Sequence, residues 1–193
     1  MVTMIDRTRH TPCIFFNNNL NPVRMGTVIT PPTYVEITGP LIFLAGPIQG
    51  APAWHERAIA YIQYHAPQVT IASPKAPDDS WKFDYCLQVD WETHHLSTAA
   101  QAGVILFWLA KEHTHQCDRA YAQTTRAELF EWKNRKGRMV IGIEDGFTGA
   151  RYIRHRFSQD RPIVPFQRSL EETCQTAIDI LEVTGASSAQ KGF

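Results

Sequence analysis

Three acidic side chains in the middle of the chain have the type and spacing for acid–base or nucleophilic chemistry: Asp90 and Glu92, on either side of Trp91, and Glu128 further on. A carboxyl group can take up a proton, give one up, or donate an electron pair to a reacting centre, and two that converge can divide those tasks. Asp90 and Glu92 are two apart, so on a helix they point in different directions. Glu92 shares a stripe with Leu96 and is the expected inward carboxylate; Asp90 shares one with His94. Glu128 has two readings. A carboxylate near a helix start is favoured by the macrodipole, and Thr125 three residues before it has the spacing of a capping box. The other reading is a reactive group. His94, His95, His113 and His115 lack partners at metal-ligand spacing, so no metal is expected. Arg151, Arg154, His155 and Arg156 read as a solvated basic helix face.

The elements that must position these groups alternate between strand and helix. Leu41 to Ala45 is a short apolar run that stops at Gly46-Pro47, as a buried parallel strand stops at a ligand loop. Gly46 lets backbone approach closely there. Further strands are expected at Val69–Ala72, Gly103–Leu109, Met139–Ile143 and Ile163–Phe166. Helices are expected at Pro52–His65, Tyr85–Ala100, Thr124–Asn134, Ala150–Ser158 and Ser169–Leu181. The last has Ser169 as N-cap and Glu172 at the capping-box position. Alternation of this kind predicts a parallel sheet with helices on both faces. Residues 1–40 read as an extension in which Cys13–Phe16 and Thr27–Thr30 are edge strands or a hairpin, and 185–193 as a flexible tail. Three loops should then meet at the carboxyl ends of the strands. They are Ala45–Gln49, Asp78–Asp84 leading into Gln88–Glu92, and Tyr121–Glu128.

The composition is that of a soluble domain with a real core, 193 residues with 44% hydrophobic and 20% charged. Lys plus Arg equals Asp plus Glu at 19 each, so no global field draws the chain to a nucleic acid polymer or an anionic membrane. No apolar run approaches a membrane span, and the start lacks a signal-peptide pattern. Four scattered cysteines without a CxxC pair point to reduced thiols and a cytoplasmic setting.

Five segments in order resemble the nucleoside 2-deoxyribosyltransferase superfamily, in its nucleoside 2-deoxyribosyltransferase-like branch. They are Ile42–Ile48, Gln88–Thr93, Val104–Trp108, Ala122–Leu129 and Val140–Glu144, within a stretch from about Leu41 to Leu181. The resemblance implies a flavodoxin-like, doubly wound parallel sheet of about five strands, with residues 41–184 as the domain. It implies retaining glycosyl transfer without a cofactor, on nucleoside and nucleobase substrates. The position matching the nucleophile is Glu128; the acid that protonates the leaving base matches Glu92, with Asp90 second. By analogy with O-glycosidases such a pair sits roughly 5 Å apart, and burial beside Trp91 and Trp108 is expected to raise the acid's pKa. Phe43, Ala45, Gly46, Pro47, Ile48, Gln49, Trp81, Phe83, Asp84, Gln123 and Thr125 are the expected substrate contacts, with Trp54 a further aromatic able to stack on the base. Relatives of this kind are homo-oligomers.

Two positions depart from the family pattern. Its Glu-Leu-Gly is Glu128-Leu129-Phe130 here, and its Ala-Asp before the central strand is replaced within Ala99–Gly103. Two other activities compete with transfer. A nucleoside 5′-monophosphate hydrolase needs a basic group over the 5′ position, for which Arg126 and Lys75 are candidates. A non-catalytic nucleotide-binding domain on the same fold needs neither carboxylate to react.

Overall fold

The computed structural model describes residues 26–75, 84–116 and 118–189, with side chains as far as Val183. Trp81, Phe83 and the Cys13–Phe16 run lie outside the described residues. Six strands are present among those described: β1 (Val28–Ile29), β2 (Leu41–Ala45), β3 (Thr70–Ala72), β4 (Val104–Leu109), β5 (Met139–Ile143) and β6 (Phe166–Gln167). They form one parallel sheet in the order β1-β3-β2-β4-β5-β6. Five helices accompany it: α1 (Trp54–His65), α2 (Tyr85–Ala102), α3 (Gln123–Lys133), α4 (Ala150–Asp160) and α5 (Leu170–Ala189). Setting β1 aside, the strands run second, first, third, fourth, fifth, which is the flavodoxin-like order.

The central strands are apolar at every position because both faces are covered. Phe43 and Ala45 of β2, Ile105, Phe107 and Leu109 of β4 and Ile141 of β5 face α2, α3 and α4, meeting Trp91, Leu129, Ile153 and Phe157. The alternate residues Ile42, Leu44, Val104, Leu106 and Trp108 face α1 and α5, meeting Trp54, Ala58, Ile62 and Cys174. Each fully buried side chain of this size contributes about 1.5–3 kcal/mol, so the strand pattern itself drives the layering.

Element ends differ from the sequence expectation in informative places. Val28–Ile29 pairs in parallel with Ile71–Ala72, so among the described residues this run is an edge strand. The chain after β1 crosses α2, where Trp91 Nε1 donates to the Thr33 carbonyl at 2.7 Å. The expected strand Ile163–Phe166 begins later: Val164 N–H bonds back to Arg161 in a turn, leaving Ile163 exposed. The capping box of α5 forms as expected, with Glu172 N–H on Ser169 Oγ and Ser169 N–H on Glu172 Oε2, each at 3.2 Å. That helix continues to Ala189, past the expected Leu181.

Gly103 marks a close backbone approach at the entry to β4. A Cβ there would overlap the Leu41 carbonyl oxygen, which is backbone and cannot turn aside. The glycine lets β4 enter beside β2 in register. Gly103→Ala is expected to cost about 2–3 kcal/mol, read as a lower denaturant midpoint with an unchanged slope.

Candidate active site

The crevice lies where the sheet order reverses. β2 and β4 are neighbours, but the chain leaves β2 toward α1 on one face and reaches β4 from α2 on the other, so their carboxyl ends diverge into a cleft. Its cavity is about 420 Å³. The floor is Phe43 and Ala45; one wall is Gly46 to Gly50; another is α2 from Tyr85 to Glu92; the third runs from Glu112 through Tyr121 to Glu128.

Two loops are tied together over this cleft. The Gly50 carbonyl accepts from the backbone N–H groups of His113 at 2.8 Å and Thr114 at 3.0 Å. Arg119 donates to Gln49 Oε1, and Tyr121 donates its hydroxyl to the Ala110 carbonyl at 2.8 Å. Burial, with Glu112 and Glu144 nearby, pushes the Tyr121 phenol well above its ordinary range, so it stays a neutral donor. Beneath the first loop, Trp54 Nε1 donates to the Pro47 carbonyl at 2.8 Å. A Cβ at Gly46 would strike the Trp108 carbonyl and the Trp54 ring. Gly46 is therefore required for packing against β4 and α1, as well as lining the crevice. Trp54 is buried under the loop and supports it, and it does not line the crevice.

Glu92 and Glu128 reach the crevice from adjacent helices and hydrogen-bond to each other through their carboxyl groups. Two half-buried carboxylates in contact cannot both be ionised without cost, so the pair retains a proton where ordinary carboxyls have none. Burial raises Glu92, opposed by the hydrogen bonds it accepts from Gln88 and Glu128. Burial raises Glu128 too, and the Glu92 charge adds to it, pushing Glu128 up to about 8. The stronger upward push thus falls on Glu128, whereas the sequence placed it on the second carboxyl. Trp108 takes no part in it, because that ring lies on the opposite face of the sheet from α2.

The structure sorts the remaining expected residues. Phe43, Ala45, Gly46, Pro47, Ile48, Gln49, Gln123 and Thr125 line the crevice with Glu92 and Glu128. Phe43 is itself buried against Trp91, ring centres 6.2 Å apart, and forms part of the floor. Asp90 is exposed and does not line the cavity. Asp84 caps α2, its carboxylate accepting from Leu87 N–H at 3.0 Å, and it too is outside the cavity. Arg126 turns away toward the loop after β5, donating to the Thr148 carbonyl and stacking 4.5 Å over Phe147. Lys75 does line the crevice, paired with Glu56.

The capping-box reading of Glu128 does not hold. α3 begins at Gln123 after Ala122, which adopts a left-handed conformation (φ 55°) and offers no side-chain cap. Thr125 is buried within the helix, and Glu128 lies in its second turn, beyond the unpaired N–H groups. Ala122 itself lines the crevice, so the strained turn sits where it aims α3. Phe130, in place of the family's glycine, packs on α4 against Tyr152 and Phe157, with centroids 5.9 and 6.3 Å apart. It lies outside the crevice lining. Gln88, Tyr85, Arg119 and Tyr121 are crevice residues that sequence reasoning did not single out. Only Gln88 had a readable signal, its four-residue spacing to Glu92 on one helix face.

The fold and the site together define an α/β protein with a parallel sheet of flavodoxin-like order and a half-buried carboxyl pair at its switch point. The family model for nucleoside 2-deoxyribosyltransferase-like proteins matches residues 39–147, more than half of the chain, and the protein belongs to that family. No curated protein matches the chain. No helix among the described residues is long and apolar enough to cross a membrane.

The carboxyl pair makes stability depend on pH. Glu128 keeps its proton up to about pH 8 in the fold, against an ordinary value of 4.5 in the unfolded chain. The folded state therefore binds more protons between those values, and stability present below the lower one is lost as pH rises toward the upper. Glu128→Gln removes this titration. Its unfolding free energy is expected to fall less than that of the unchanged protein from about pH 5 to 8, leaving it at least about 1 kcal/mol more stable at the upper end. Urea unfolding across that range measures the difference.

Proposed function

We propose that the protein cleaves the N-glycosidic bond of a 2′-deoxynucleoside and transfers the sugar to a second base through a covalent ester on Glu128. Family membership supplies the substrate class, and the observation that carries the reading is the direct contact of Glu92 and Glu128 in one crevice. In the free protein the hydrogen-bonded carboxyls are closer than the roughly 5 Å expected of a retaining pair, and a sugar bound between them must part them; they lack the wider gap, about 6.5–9.5 Å, that an inverting reaction leaves for its attacking water.

In the first step a Glu128 oxygen attacks C1′ as the C1′–N bond breaks, and the electron pair of that bond passes to the base. Glu92 gives its proton to the base nitrogen. In the second step a nitrogen of the incoming base attacks C1′, the Glu128 carboxylate leaves, and the proton of that nitrogen passes to Glu92. One proton on the pair suffices for the whole cycle. The free pair favours that proton on Glu128, whereas the reaction needs it on Glu92. Positive charge developing on the sugar favours the Glu128 anion, which moves the proton across as the bond stretches. The Tyr121 hydroxyl and the tied loops hold the site in order.

The hydrolase reading has one observation on its side, since Lys75 and Arg119 line the crevice and would suit a 5′-phosphate. The free thiols Cys86 and Cys174 suit a reducing cytoplasmic setting. A homo-oligomer completing the crevice mouth is part of the same proposal.

Intact-protein mass spectrometry after incubation with a panel of 2′-deoxynucleosides and 5′-monophosphates, with and without acceptor bases, tests the reading. A deoxyribosyl adduct on Glu128 that added base discharges is the expected result; base release from monophosphates alone would favour hydrolysis. Glu128→Ala is expected to lower kcat by at least about 1,000-fold. Unchanged turnover in that variant would remove Glu128 as the nucleophile.

A further inference from the structure

Gln88 lies one helical turn before Glu92 on α2 and is 8% exposed. Its amide nitrogen donates to Glu92 Oε1 at 2.7 Å and to the Pro74 carbonyl at 2.9 Å. The orientation is fixed by chemistry. Pro74 offers only an acceptor, so the NH2 end of the amide must face it, and the same nitrogen reaches Glu92. Both amide hydrogens are thus committed, one to an anchor just after β3 and one to the carboxyl pair.

A donor held on Oε1 has two consequences. It keeps that oxygen an acceptor, leaving Oε2 as the Glu92 atom that carries a proton. It also strengthens as Glu92 becomes charged, because a hydrogen bond to a carboxylate is stronger than one to the neutral acid. We propose that Gln88 is a positioning residue that confines the exchangeable proton of Glu92 to Oε2 and stabilises the carboxylate formed when that proton leaves. Its consequence for turnover rests on the acid and nucleophile roles proposed above; the hydrogen bonds are a property of the free protein. The direction of the Gln88 contribution agrees, since it favours ionised Glu92 against burial. Glu131 is the further charge that acts on Glu128, while Lys75, Tyr85, Glu112, Arg119 and Tyr121 line the same cavity.

The test is a titration of the free protein carrying carbon-13 at the glutamate carboxyls, followed by NMR, with the pair's signals assigned through Glu92→Gln and Glu128→Gln. Gln88→Met keeps the length of the side chain and removes the donor. Losing one hydrogen bond to a charged group should raise the lower of the pair's two titration steps by about one pH unit and leave the upper step nearly in place. A role limited to packing would admit water and move both steps down together. That result, or an unmoved lower step, overturns the assignment. In turnover the same variant should lose about tenfold in kcat, with the acid limb of its pH profile moved up by the same unit. A shifted titration in a protein that releases base from no nucleoside would leave Gln88 its part in the pair and remove the glycosyl-transfer reading. Should Gln88→Met not fold, the side-chain amide signals of Gln88 in the unchanged protein must follow the lower step, and signals flat across it would equally overturn the proposal.

Discussion

The pairing of β2 with β4 is the constraint on which the site depends. These strands are adjacent in the sheet but separated in the chain by two helices and β3, and those helices lie on opposite faces. Their carboxyl ends therefore part, and the cleft between them is filled by neither helix. The pairing depends in turn on small residues at both ends. Gly103 lets β4 enter beside the Leu41 carbonyl, and Gly46 lets the loop leaving β2 pass between the Trp108 carbonyl and the Trp54 ring. A side chain at either point would push the two strands apart, and the walls of the crevice would move with them.

From that geometry follows an electrostatic one. α2 and α3 pack on the same face of the sheet, through Trp91, Leu96 and Leu129, and each sends a glutamate toward the cleft from its crevice end. Either carboxyl alone in such a place would be raised by burial; together they share a proton and hold it at neutral pH. The fold thus maintains two carboxyls in contact, at a cost in stability that grows with pH. Sites of this kind commonly trade stability for function. The surroundings are ordered by hydrogen bonds that converge on backbone: Trp54 on Pro47, Tyr121 on Ala110, two N–H groups on Gly50. A crevice held by its own backbone leaves the side chains free for a ligand.

The layering was legible in the sequence because buried parallel strands are apolar at every position, as Leu41–Ala45 and Val104–Leu109 are, and such runs have no other stable home. The inward direction of Glu92 was legible too, from its stripe with Leu96 on a helix whose buried residues include Gln88, Leu96 and Ala99. Helix starts were harder. Thr125 and Glu128 have the spacing of a capping box, but the chain turns into α3 at Ala122 in a left-handed conformation that no residue type there announces. Asp84 was read as a ligand contact when its position made it an N-cap; the same short acidic side chain serves both purposes, and only the start of α2 decides between them.

What the sequence determined by itself is local and periodic: which runs are strands, which faces of the helices are apolar, where Gly and Pro interrupt, and that carboxylates stand near the strand ends. Hydrophobic burial acts on those patterns directly, so they survive translation into structure. What only the tertiary structure decided is long-range: that Glu92 and Glu128 touch, that Asp90 and Arg126 face elsewhere, that Trp54 supports a loop, and that Gln88 bridges Pro74 to Glu92. Those facts depend on where whole helices cross the sheet, which is set by the packing of many side chains at once and is written in no single stretch of the chain.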